Sequence, residues 1–197
     1  MSAALPGGYR LRPLDERDAA ELHALIERNR DRLARWIHWA QGQSAADTLA
    51  FIGRARAMEQ DGSGFSRGIV DADERLAGVV GITVDRSNRA GAIGYWLDAG
   101  SVGKGLVASA VAALAEHGFE HYRLLRIEIR ADVENRASRA VAERVGFQLE
   151  GVARQAYRVD DEHQSDDAVY SLLASDPARR DLRKRLDAAT AGGNPRG

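Results

Sequence analysis

This sequence predicts a mixed α/β fold, and three observations predict it. Apolar residues recur at helical spacing up to about residue 61. Period-two alternation then runs through three stretches between Phe65 and Leu97, joined by short polar turns. Last, a strand, a glycine-bearing loop and a helix occupy Ile93 to Ala113, and a further strand follows, in which Leu125, Ile127, Ile129 and Ala131 alternate with Arg126, Glu128 and Arg130. Strands joined by short turns form an antiparallel meander, whereas a strand–helix–strand crossover leaves its strands parallel. The predicted sheet is therefore mixed.

Length and composition suit that class. The 197 residues, 44% hydrophobic and 29% charged, fit one soluble globular domain with a core of its own. We place that domain at residues 1–175, closed by Asp176-Pro177, and expect 176–197 to be a helical tail that frays toward GGNPRG. A net charge of −1 gives no global attraction to nucleic acid or to an anionic membrane surface. The absence of cysteine excludes disulfide scaffolds, thiolate metal sites and cysteine nucleophiles. The start MSAALPGGYR lacks the basic residues and apolar run of a signal peptide, and no apolar run approaches the roughly 18 residues of a membrane span. The expected location is the cytoplasm.

Taken in order, Tyr9 to Leu14 reads as a first strand, and Asp15 to Asp18 supplies acidic caps for a helix carrying Leu22, Leu25, Ile26 and Asn29 to about Arg30. A second amphipathic helix carries Leu33, Trp36, Ile37 and Ala40 on one face. Ser44 and Asp47 form a capping box that opens a third helix with Leu49, Ile52, Ala55 and Met58 inward, ending near Asp61-Gly62. The meander follows as Phe65–Val70, Leu76–Val84 and Ala92–Leu97. The helix after the glycine loop shows Leu106, Val107, Ala110, Val111 and Leu114 and ends near Gly118. Asn135 caps a shorter helix closed by Gly146. Phe147–Val159 and Ala168–Leu173 are the last strands, around a polar turn at 160–167.

The loop Gly103-Lys104-Gly105 carries the first chemical signal. Amides at a helix start lack partners within the helix, and the helix dipole makes that end partly positive. Glycine lets the main chain wrap an anion with no Cβ in the way, so the loop is a candidate phosphate cradle as well as a plain turn. Gly103-x-Gly105-x-x-Ala108 also meets a loose dinucleotide fingerprint. Three features oppose that alternative: the preceding strand ends a meander, five residues from Asp98 to Val102 precede the first glycine, and only Glu128 or Asp132 supplies the expected acid. His117 and His121 lie four apart with no third ligand in view, so a solvated helix face is favoured over a metal site; no metal is expected. Asn135 is accounted for as a cap of the amide of Ser138. Trp36 falls on an apolar stripe, while Trp39 lies off it and is a candidate for a binding surface.

Four stretches in this order resemble the GNAT superfamily of acyl-CoA N-acyltransferases, and within it the ribosomal-protein N-acetyltransferases of the RimL/RimJ type: NRDRLARWIHW (29–39), IGYWLDAGSVGKGLVASAV (93–111), ADVENRASRAVAERVGFQLEG (131–151) and DDAVYSLL (166–173). The resemblance implies a mostly antiparallel sheet with a splayed parallel strand pair and flanking helices. It implies acetyl-CoA as co-substrate, with its pyrophosphate on the backbone amides of Val102, Gly103, Lys104, Gly105, Leu106, Val107 and Ala108 and its pantetheine arm against the backbone of Trp96 and Leu97. Asn135 matches the family asparagine that contacts the cofactor, and Ser138 the serine near the thioester sulfur. The sequence departs from the pattern in four places: Val102 stands where Gln or Arg is frequent, Val107 where a small residue is frequent, Ser109 where many relatives have Glu, and Tyr157 where some RimL-type enzymes carry a carboxylate proposed as base. The base is thereby left open.

The implied reaction is attack of an amine on the thioester carbonyl, a tetrahedral oxyanion steadied by a backbone amide, and departure of the thiolate with Ser138 as donor to sulfur. The nucleophile must be neutral, which suits an α-amine of pKa about 8 better than a lysine near 10.4. Catalytic candidates are Ser138 and Tyr157; Trp36, Trp39 and Glu150 are candidates for the acceptor side. The expected acceptor is a protein or peptide N-terminus of ribosomal type, and a homodimer is expected because relatives are often dimers. The alternatives are a small-amine acetyltransferase acting on an aminoglycoside or polyamine, a nicotinamide-dinucleotide oxidoreductase, and a non-catalytic acyl-CoA sensor.

Overall fold

Strand pairing organises the chain. The computed structural model describes residues 1–158, 160, 164–182 and 184. Among them a sheet of eight strands runs in the order β1 (Ala3–Ala4), β2 (Arg10–Pro13), β3 (Gly64–Val70), β4 (Leu76–Asp85), β5 (Ala90–Leu97), β6 (Arg126–Asp132), β8 (Gln164–Leu173), β7 (Gln148–Arg158). Every neighbouring pair is antiparallel except β5 and β6, which the crossover through α3 (Leu106–Glu120) leaves parallel. The mixed class, the meander and the single parallel pair are as the sequence predicts.

Alternation along the strands divides the apolar side chains between two layers. Val80, Ile82, Ile93 and Leu97 pack with Ala110, Val111 and Leu114 of α3 and with Ala142 and Val145 of α4 (Arg136–Val145). Val70, Leu76 and Val79 pack with Leu22, Leu25 and Ile26 of α1 (Ala19–Ala34) and with Ile52 of α2 (Ala45–Asp61). Adjacent residues Val79 and Val80 fall in different clusters, as a period of two demands. The sheet is thus the middle layer, with α1 and α2 on one face and α3 and α4 on the other.

The helix ends follow local chemistry. Asp15 and Asp18 form a capping box around a short 3-10 turn at Glu16–Asp18, and Ser44 and Asp47 form another at the start of α2. Gly146 closes α4 with φ 107°.

Several expectations are corrected. The second amphipathic helix does not exist: α1 runs on through Leu33, Ile37 turns extended (φ −134°, ψ 103°), and only a 3-10 turn at His38–Ala40 follows. Leu49 is exposed and Thr48 takes the inward place on α2, while Leu125 precedes β6 and is exposed as well. α3 continues past Gly118, which is buried within it. β8 begins at Gln164, inside the expected turn, and β1 was not anticipated. Val159, His163 and the tail beyond Lys184 lie outside the described residues.

Candidate active site

The parallel pair opens. β5 and β6 are in register only at Ala90↔Arg126, Gly91↔Ile127 and Ala92↔Glu128. Beyond these, β5 stays with β4 as far as Leu97↔Gly78, and β6 stays with β8 as far as Asp132↔Asp167. From Ile93 to Leu97, one edge of β5 therefore faces a gap with no strand partner among the described residues. Main-chain donors and acceptors along such an edge need another partner, and an extended amide-bearing chain supplies one.

At the open end of the gap, residues 98–105 lead into α3. Gly103 and Gly105 hold φ of 85° and 75°, the left-handed region that L side chains adopt at a cost, and a Cβ at either would meet nothing within 4 Å. Glycine is needed here for conformation, and the space beside it is open. Gly105 is the N-cap residue of α3 and offers no side-chain cap, so the first amides of the helix are directed at this space. The loop fits an anion held by main chain. Val102 is exposed, and Val107 and Ala108 are half-buried. Lys104 turns aside: its Nζ donates to Tyr9 Oη at 3.1 Å and lies over the Tyr9 ring, holding the phenol below its ordinary pKa.

α1 fixes the strand end from the other face. Buried Asn29 donates to Asp98 Oδ1 (2.7 Å) and to the Leu25 carbonyl (2.8 Å), and its Oδ1 accepts from the Ala99 amide (3.0 Å). Arg28 donates to Asp98, and Arg32 to the Leu97 carbonyl. Burial opposes the charge of Asp98, but the bonds from Asn29 and Arg28 prevail and hold its carboxyl below the usual range. The sequence assigned Asn29 only to an apolar stripe; its polar head, 69 positions from Asp98, carried no local signal.

Asn135 and Ser138 come from the other side of the gap. Asn135 Oδ1 accepts from the Ser138 amide at 3.1 Å, the expected cap. α4 is anchored behind them: Arg139 donates to the Val133 carbonyl and to the buried Tyr170 hydroxyl, which donates to Glu143 at 2.7 Å. Tyr95, on β5, reaches across to Ser138, with its Oη 2.9 Å from Oγ and 3.1 Å from the carbonyl oxygen. Burial pushes the Tyr95 phenol up to about 12. Nothing in the sequence pattern linked these two residues.

The acceptor-side candidates divide. Tyr157 Oη accepts from the His38 amide at 3.1 Å, which brings the end of β7 to the segment bearing Trp36 and Trp39. Trp36 is half-buried under the Arg35 guanidinium, and Trp39 is 39% exposed. Glu150 is placed elsewhere. It forms a two-pronged ion pair with Arg126 (2.5 and 2.7 Å) and accepts from Ser171 Oγ, which holds its carboxyl down at about 2. Arg126 pairs with Ala90 at the start of β5, the end away from the loop, so Glu150 is not brought to the other candidates.

Other polar features lie apart from this site. A groove of about 730 Å³ between β2 and α2 includes Arg12 and Arg56, which already face Asp18 and Glu16. His117 is half-buried, and burial together with the His121 ring stacked on it lowers its pKa to about 4, so the expected solvated face is corrected at His117, while His121 is exposed. Among the described residues, no three His, Cys, Asp or Glu side chains stand close enough to hold a metal ion, and no helix is long and apolar enough to cross a membrane.

Known proteins share this arrangement. The acetyltransferase (GNAT) domain model matches residues 9–148. The putative ribosomal N-acetyltransferase YdaF of Bacillus subtilis (strain 168) is 38% identical over 166 residues, covering 83% of this chain and 90% of that protein. The ribosomal-protein-serine acetyltransferase of Escherichia coli (strain K12) is 33% identical over 153 residues, 77% of this chain and 85% of its own. Among solved structures, the RimL ribosomal L7/L12 α-N-protein acetyltransferase in complex with coenzyme A superposes with a TM-score of 0.81 at 28% identity, over 88% of this chain and 98% of that one. The microcin C7 self-immunity acetyltransferase MccE, in complex with acetyl-CoA and AMP, gives 0.79 at 29% identity over 84% and 92%. A splayed parallel pair, an uncapped helix start behind two left-handed glycines, and matches of this length lead to one conclusion: the chain belongs to the GNAT family of acetyltransferases.

Proposed function

We propose that this protein transfers the acetyl group of acetyl-CoA to the N-terminal α-amine of a protein, ribosomal in type, by direct attack in a ternary complex. The observation that carries the reading is the gap: β5 loses β6 after Ala92, the uncapped start of α3 stands at its open end, and Ser138 flanks it. The curated relatives support the acceptor, since two of them are named for ribosomal proteins and one of those for serine.

Acetyl-CoA brings an activated acyl group as a thioester. The amides of Gly103 to Ala108 hold its pyrophosphate, the Val102 amide expected among them being given instead to the Ala99 carbonyl at 3.4 Å. The free edge of β5 at Trp96 and Leu97 holds the pantetheine arm, and Asn135 contacts it through the amide NH2 that its capping role leaves over. A backbone amide of the same edge steadies the oxyanion, and Ser138 donates to sulfur as the C–S bond breaks. At pH 7 roughly one α-amine in ten is neutral, against roughly one lysine in 2,500, so water suffices to take the proton of an N-terminal amine where a lysine would need a dedicated base. Tyr157, Trp36 and Trp39 orient the acceptor. Glu150, committed to Arg126, is left out of that role. The catalytic unit is residues 1–175, acting in the cytoplasm as a homodimer.

Thiol release measured across a panel of amines tests the reading. Peptides with free N-terminal serine or alanine should exceed N-acetylated lysine peptides, spermidine and an aminoglycoside by at least tenfold in kcat/KM. A higher value on either small amine overturns the protein acceptor. Ser138→Ala should lower kcat about 10- to 100-fold, the worth of a hydrogen bond to a charged group; unchanged kcat at saturation removes Ser138 from the chemistry.

A further inference from the structure

We propose that Tyr95 is a positioning residue for the acetyl transfer, its phenol holding the Ser138 hydroxyl so that the serine proton is presented to the departing sulfur. The proposal rests on Ser138 being the donor to sulfur. Tyr95 stands on the free-edged part of β5, its ring packed in the α3/α4 layer, and its oxygen meets both polar atoms of Ser138 beyond the backbone amide. Each hydroxyl has one proton to place. The Ser138 carbonyl can only accept, so the phenol proton is divided between that carbonyl and Oγ. When it goes wholly to the carbonyl, the serine proton is drawn to the phenol oxygen and sulfur receives nothing. When it goes to Oγ, the serine proton is released toward the gap. A thiolate only accepts, so charge building on sulfur selects the second arrangement.

The tyrosine gives direction and no proton. Burial keeps the phenol protonated throughout the neutral range, with its pKa at about 12. An ordinary thiol near 8.5 is the stronger acid, so passing a proton from Tyr95 through Ser138 to sulfur would run uphill by a factor of about 3,000. The balance is therefore simple. The N–C bond forms, the C–S bond breaks with its electron pair on sulfur, the proton shed by the amine leaves through water, and both hydroxyls keep theirs.

A cycle of variants tests this. Tyr95→Phe keeps the ring and removes only the hydroxyl; kcat should fall about fivefold to tenfold, the worth of one hydrogen bond, with KM for acetyl-CoA and calorimetric affinity for coenzyme A within twofold of wild type. In a Ser138→Ala background the same change should cost nothing further. In a Ser138→Thr background, which restores the hydroxyl, it should cost the original factor again. Additive losses in Tyr95→Phe/Ser138→Ala overturn the coupling, as does a Tyr95→Phe enzyme that weakens coenzyme A binding with kcat intact. Should Ser138→Ala lower kcat while Tyr95→Phe does not, this inference fails and the serine's role stands. Should Ser138→Ala leave kcat unchanged, the role of Ser138 falls and that of Tyr95 with it. If Tyr95→Phe does not fold, Ser138→Thr against Ser138→Ala decides: kcat equal to that of the alanine variant shows the hydroxyl is not being held, and overturns the proposal.

Discussion

The two sides of the site are built differently. The side proposed for the cofactor uses contiguous runs, residues 96–108 and 135–138, and would work through main chain: two left-handed glycines, an uncapped helix start and a strand edge without a neighbour among the described residues. The side proposed for the acceptor joins pieces 119 positions apart through a hydrogen bond from the His38 amide to Tyr157, and presents side chains such as the exposed Trp39. A backbone site can keep its function while its side chains vary. A site made of side chains on separate loops changes with each of them, so acceptor choice can drift while the donor stays the same.

The comparison breaks most readily at a glycine. Gly105→Val forces a β-branched residue to φ 75° and puts carbon into the cradle. Affinity for coenzyme A should fall about thirtyfold by calorimetry, equivalent to about 2 kcal/mol. Gly42→Val, on the acceptor segment, sits at an ordinary backbone angle with nothing within 4 Å of its new Cβ, and should leave that affinity within twofold. Equal losses at the two positions would mean that the two sides are not separate.

α1 is where the sides meet, because it clamps residues 97–99 and then runs into the segment that bears Trp36 and Trp39. Asn29→Ala takes a buried donor from Asp98, leaving it Arg28 and the Gly100 amide, and removes the acceptor of the Ala99 amide, which should together cost about 2 kcal/mol of stability. Thermal unfolding should then drop by about 4–8 °C. The carboxyl of Asp98 lies below its ordinary value in the folded protein, so its contribution is complete above about pH 4 and is lost as pH falls through that range. The gap between Asn29→Ala and wild type should accordingly narrow in acid. A gap that widens below pH 4 would mean that Asn29 does not act through Asp98.

Local code also decided what could be read from the sequence. The acidic cap at Asp15, the Ser44–Asp47 capping box, the Asn135 cap and the left-handed Gly146 are signals within a few residues, and each lies where the pattern puts it. The segment after Leu33 departs from its periodicity because its structure is set from a distance. Arg30 gathers the carbonyls of Ala40, Gln41 and Gln43, satisfying a non-helical backbone that periodicity alone would have made a helix. Asn29 with Asp98 and Tyr95 with Ser138 are contacts of the same kind, across 69 and 43 positions. Side chains whose partners are distant carry no signature in a window of sequence, however central they are to the site.

The smallest effects belong to the acceptor side and sharpen the contrast. Trp39 is too exposed to support the core, so Trp39→Ala should leave the melting temperature within about 1 °C and coenzyme A affinity unchanged. Its cost should fall on the acceptor peptide alone, raising that KM about fivefold, in line with the loss of one aromatic contact. Tyr157→Phe removes the oxygen that accepts from the His38 amide and should raise the same KM about threefold with kcat intact, the worth of one hydrogen bond at an exposed segment. A fall in kcat with an unchanged acceptor KM would instead put Tyr157 at the reacting amine. It would fill the position of the missing base and make the two sides of the site one catalytic unit.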